Sequence, residues 1–216
     1  MGCAISGLAT KSEFSQRDRE EAAAAAAAAH LSEEQVQMIK DSWKVIRDDI
    51  AKVGIIMFVR LFETHPECKD VFFLFRDVQD LERLRTNREL RAHGLRVMSF
   101  IEKSVARLDQ PERLEALAVE LGKSHYHYNA PPKYYNHPQT NQSNMDGVFQ
   151  YVGAEFICAV QPILKERWTT ELEEAWKTMF QYVSSLMRQG YQDESARQRN
   201  LAASPKDRLD KKNTAL

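Results

Sequence analysis

Cysteine is scarce in this chain: three in 216 residues, at Cys3, Cys68 and Cys158, with no CxxC pair. That excludes a disulfide framework and a cysteine-based metal cluster. Charge of one sign is also missing, since 30 lysines and arginines face 31 aspartates and glutamates for a formal net charge of -1. A nucleic acid partner therefore has no electrostatic basis. No apolar run reaches the roughly 18 residues that span a bilayer, and the first residues lack the charged-then-apolar layout of a secretory signal. The expectation is a protein made and kept in the cytosol. Alternation of polar and apolar residues, the mark of a half-buried strand, competes nowhere. What is present is 43% hydrophobic residues, enough to bury one core, so one domain with tails is the economical reading.

The first thirty residues differ from the rest, with a polar stretch followed by an unbroken alanine run from Ala22 to Ala29. Such a run favours helix but has no apolar face, so 1–30 reads as a tail outside the core, its alanine stretch either a frayed helical spacer or disordered. Ser32 and Gln35 then form a capping box ahead of Val36, Ile39, Trp43 and Ile46, which places the start of the folded domain near Leu31. Further boxes, Thr86 with Glu89 and Thr170 with Glu173, predict two more helix starts. Phe58 and Phe62 supply the inner face of another helix. The fold class is all-α, with crossed helices over 31–191. The charged tail 192–216 has no apolar residues in register and reads as disordered.

Two histidines carry the chemistry. His93 shares one face with Leu90, Val97 and Ile101 at the 3.6 period, and His125 stacks with Leu117 and Leu121 at four-residue steps. Both imidazoles point inward from separate helices. Taken singly, either is more often a hydrogen-bonded core residue than a ligand. Upstream of both lies His65-Pro66, a proline-started turn followed by Phe72, Phe73 and Phe75, which makes a flat apolar wall for a flat macrocycle. Together these residues suit an iron porphyrin held from both faces. His127 faces the opposite side of its turn and, like His30, His65 and His137, reads as a surface residue.

These residues resemble a globin from about Leu31 to Tyr191. The resemblance implies a globin fold around haem b. It makes Phe72 the phenylalanine that stacks on the haem, His125 the proximal and His93 the distal histidine, with Phe58, Phe75, Val97 and Leu121 lining the pocket. Ser124 or a nearby carbonyl would orient the second nitrogen of His125. One segment departs from the pattern: about 136–147 is an insertion expected to loop out beside the haem edge, which leaves any role of Tyr134 or Tyr135 open. In that fold the segments bearing Cys68 and Cys158 lie near one another. They are a candidate disulfide, the alternative being two reduced core cysteines.

The start Met1-Gly2-Cys3-Ala4-Ile5-Ser6 matches the N-myristoylation pattern at Gly2, with Cys3 placed for palmitate. One myristoyl chain binds membranes only marginally, and Lys11, Arg17 and Arg19 are offset by Glu13, Asp18, Glu20 and Glu21, so palmitate has to supply the second signal. The expected location is the cytoplasmic face of the plasma membrane. With the haem motifs, the chain looks like globin X, a membrane-attached cellular globin related to neuroglobin and cytoglobin. That likeness implies a hexacoordinate iron, with His93 as sixth ligand in the absence of oxygen or another diatomic. Redox chemistry with an unknown reductase follows as the expected function: electron transfer, nitrite reductase activity, nitric oxide turnover or protection from lipid peroxides. Oxygen transport or storage is the alternative.

Overall fold

The computed structural model describes residues 31–72, 78, 80–129 and 138–203, which contain helices and no strand. The order is α1 (Glu33–Ile46), α2 (Ile50–Thr64), a 3-10 turn (Pro66–Val71), α3 (Leu81–Thr86), α4 (Arg88–Val105), α5 (Pro111–Asn129), α6 (Pro138–Leu164) and α7 (Thr170–Ala203). The all-α expectation stands. Ser32 caps α1 as expected: its hydroxyl accepts from the Gln35 N–H at 3.1 Å, and the Gln35 side chain accepts from the Ser32 N–H at 3.0 Å. The other two caps sit one residue away from their predicted places. Asn87, not Thr86, caps α4 by accepting from the Leu90 N–H at 2.8 Å, and Thr169 accepts from the Leu172 N–H at 3.2 Å. Adjacent Thr-Asn and Thr-Thr pairs offer two competing acceptors, and at α4 the one in extended backbone, Asn87, wins.

α2 crosses α4 where Gly54 and Gly94 meet backbone to backbone; a Cβ on Gly54 would lie 3.0 Å from the Gly94 carbonyl carbon. α5 packs along α7 still more closely, with Gly122 against the Met187 carbonyl oxygen and Gly190 against that of Val119. A Cβ is blocked outright at the second crossing and only crowded at the first. Trp176 of α7, fully buried, fills the centre against Trp43 and Phe156 and donates its indole N–H to Ser42 at 3.1 Å. Between α2 and α6 the buried Glu155 accepts from Arg60 and from the Thr64 hydroxyl, both at 2.8 Å. Each carboxylate oxygen thus has a donor, which offsets the cost of burying the charge.

Three expectations are corrected. Residues 138–147 do not loop out but begin α6, because Pro138 presets the first turn and polar residues extend a helix already nucleated by the apolar stretch after them. The tail does not part from the domain at 191: α7 runs on to Ala203, held by Glu194, which is 5% exposed and bonded to Arg197 and Gln198. Cys68 and Cys158 are free thiols. Cys68 is buried, whereas Cys158 is exposed, so the two lie in different surroundings. Burial and the nearby Glu67 push the Cys68 thiol up to about 11, which keeps it protonated.

Candidate functional site

α4 turns Leu90, Gly94, Met98 and Ile101 into the core, and His93 stands at the edge of that stripe, half-buried. Its ring meets Phe58 at 4.9 Å between centroids and 66°, and Phe72 at 5.4 Å and 73°. Phe58 and Phe72 meet each other edge to face at 5.6 Å and 81°. Residues from α2, from the end of the 3-10 turn and from α4 thus form one three-ring wall, each contact worth about 1 kcal/mol beyond burial. Burial is the main reason the His93 pKa falls to about 4, with the positive charges of Arg96 and His125 adding to it. The ring is neutral near pH 7.

His125 is also half-buried, and burial lowers its pKa against the opposing effect of a backbone bond. Its Nδ1 lies 2.8 Å from the Leu121 carbonyl oxygen. A carbonyl only accepts, so Nδ1 carries the proton and donates, and the lone pair belongs to Nε2. Of the two groups expected to orient the ring, the carbonyl does so, because the Ser124 hydroxyl is turned away and donates to the Glu120 carbonyl at 3.0 Å. Val97 and Leu121 are partly buried against the same core. Phe75, Gly2, Cys3, Tyr134, Tyr135, His30 and His137 lie outside the described residues.

His65 is not the simple surface residue expected. It ends α2 and stacks flat on Tyr151 of α6, at 3.6 Å and 10°, with Glu67 Oε1 3.3 Å from its Nδ1. His127 is exposed as expected but sits 3.0 Å from Glu194 of α7. Sequence reasoning missed one residue at the site itself, Arg96, whose Nη2 is 3.3 Å from His93 Nδ1. The signal was available in the spacing, since residues three apart on a helix are neighbours.

Among the described residues no cluster of three His, Cys, Asp or Glu side chains is placed to hold a bare ion. Two neutral imidazoles beside an aromatic wall are instead a donor set for an iron already equatorially held by a macrocycle. The residues present fit haem. The chain matches the globin family over residues 56–187. It is 30% identical to a neuroglobin of Danio rerio over 161 residues, which is 74% of this chain and 92% of that protein. It is 31% identical to cytoglobin-2 of the same fish over 121 residues, 56% of this chain and 68% of that one. Among solved structures, a hexacoordinated heme protein from an anhydrobiotic tardigrade superposes with a TM-score of 0.63 at 20% identity, covering 75% of this chain and 96% of the other. The haemoglobin of the botfly Gasterophilus intestinalis gives 0.60 at 16%, covering 75% and 99%. The protein belongs to the globin family. Membership implies a haem cofactor and the binding of oxygen and other diatomic ligands, and its relatives include neuroglobin and cytoglobin.

Proposed function

We propose that this globin is a hexacoordinate haem b protein held at the cytoplasmic face of the plasma membrane, where it does redox chemistry. His125 is the proximal ligand and His93 the distal one. Phe58, Phe72, Phe75, Val97 and Leu121 line the pocket, and the haem supplies an iron centre that binds diatomic ligands and changes oxidation state. The observation that carries the reading is geometric: the His125 Nδ1 is bonded to the Leu121 carbonyl, which leaves its Nε2 lone pair for iron, while the His93 ring stands on a second helix against Phe58 and Phe72. The fold shared with the tardigrade protein, itself a hexacoordinated heme protein, is consistent with it. Six-coordination makes external ligands compete with His93, which lowers apparent affinity and suits storage poorly. Myristate on Gly2 and palmitate on Cys3 would place the site beside membrane lipids and a membrane reductase, as in globin X.

The test is the visible spectrum of the deoxygenated ferrous protein beside His93→Leu. Sharp, split bands in the parent that merge into one broad band in the variant are the expected result. One broad band in both means an open site and turns the reading to an oxygen carrier. Nitrite consumption by the reduced protein should exceed that of free haem, and Gly2→Ala should leave the membrane fraction; failure of either removes that part of the reading.

A further inference from the structure

We propose that Arg96 is a positioning residue for His93: its guanidinium holds the imidazole in the tautomer that donates a hydrogen bond into the pocket, and so opposes ligation of iron by the same ring. The inference rests on the reading of His93 as the distal residue. Arg96 follows His93 by three residues on α4, with Nη2 3.3 Å from Nδ1. A guanidinium has five N–H donors and no acceptor, so Nδ1 must supply the lone pair. A neutral imidazole carries one N–H. Its proton is therefore on Nε2.

That tautomer can do one of the two things a distal histidine is asked to do. Nε2–H can donate to a diatomic ligand, but it has no lone pair left for iron. For His93 to ligate through Nε2, the proton must leave Nε2 and a proton must arrive on Nδ1, with the ring neutral before and after. Nδ1–H would then face the Arg96 N–H, and that hydrogen bond would be lost. Among the described residues the other ring contacts of His93 are Phe58 and Phe72, which neither donate nor accept a conventional hydrogen bond, so they do not select between the tautomers. Arg96 alone among these neighbours does, and it favours the open iron. His125 differs at this point, because its Nδ1 is bonded to an acceptor and its Nε2 is left in the ligating form.

The test compares the haem-loaded full chain with Arg96→Leu and Arg96→Lys. The equilibrium constant for His93 on iron, obtained from carbon monoxide rebinding after photolysis, should rise about fivefold in Arg96→Leu, the worth of one solvent-edge hydrogen bond. Arg96→Lys, again donor-only, should stay near the parent. No rise in the leucine variant, or an equal rise in both, overturns the proposal. A second reading comes from the 15N spectrum of histidine-labelled, carbon monoxide-bound ferrous protein: His93 should carry its proton on Nε2 in the parent and lose that preference in Arg96→Leu. A proton on Nδ1 in the parent overturns it too. Should His93→Leu leave rebinding unchanged, the six-coordinate reading falls, and the nitrogen spectrum still decides the role of Arg96.

Discussion

The two histidines are held in unlike ways. His125 is tethered to a backbone carbonyl of its own helix, and that helix is locked onto α7 by glycines that meet main chain directly. His93 is tethered to the tip of a long, exposed arginine and flanked by rings whose contacts tolerate sliding. Backbone cannot move without the helix, whereas a guanidinium changes rotamer at little cost. One imidazole is built to stay and the other to be exchanged, which is what a haem site that keeps its cofactor while admitting ligands requires.

The sharpest way to break this comparison is to remove each histidine in turn. On the proposed assignment of His125 as the fixed ligand, His125→Leu should lose nearly all haem, while His93→Leu should keep it; the haem-to-protein absorbance ratio of the purified chains reads both. Equal retention would refute the asymmetry. Next in size is the packing behind each ring. Gly122→Ala drives a methyl into the Met187 carbonyl and should cost about 3 kcal/mol in denaturant unfolding. Gly94→Ala meets the Gly54 carbonyl group at 3.1 Å, which a small helix shift relieves, and should cost about 1 kcal/mol. A reversed order would place the rigid wall on the His93 side.

Much of this asymmetry was not legible in the sequence, although its ingredients were. Apolar spacing put His93 and His125 on inward faces correctly, because helix periodicity fixes direction. It could not say that a carbonyl, not Ser124, holds His125, since every helical residue offers a carbonyl and only burial selects one. The Phe58 and Phe72 wall followed from the proline-started turn and from the inner face of α2. The Gly122 and Gly190 crossing did not, because a glycine in a helix looks like a weak point until its neighbour's backbone is seen. The tail after Tyr191 misled for a related reason. It has no apolar register; the three- and four-residue steps from Glu194 to Arg197 and Gln198 were legible, but the contact of Glu194 with His127 of another helix leaves no periodic trace.

That tail provides the smallest expected effect. Glu194 accepts from Arg197 at 2.7 and 2.8 Å and from Gln198 at 2.7 Å, and its Oε1 lies 3.0 Å from His127 of α5. Arg197 first, then Gln198, hold its carboxyl down to about 2, below its ordinary 4.5. A carboxyl depressed in the folded state contributes its full stabilisation above the ordinary value and loses it as pH falls from about 4.5 towards 2. Glu194 itself is buried, but its partners Arg197 and His127 are open to solvent near the end of the helix, so only that end should respond. Amide exchange over 192–203, corrected for its intrinsic pH dependence, should be faster at pH 3 than at pH 6, with the segment around Trp176 unchanged. In Glu194→Gln the pH 6 rate should already match the acid one. Equal protection of this segment at both pH values in the parent would mean that helix propensity, not the Glu194 pairs, carries α7 beyond the haem-bearing core, and the contrast with the glycine-locked stretch before it would lose its electrostatic half.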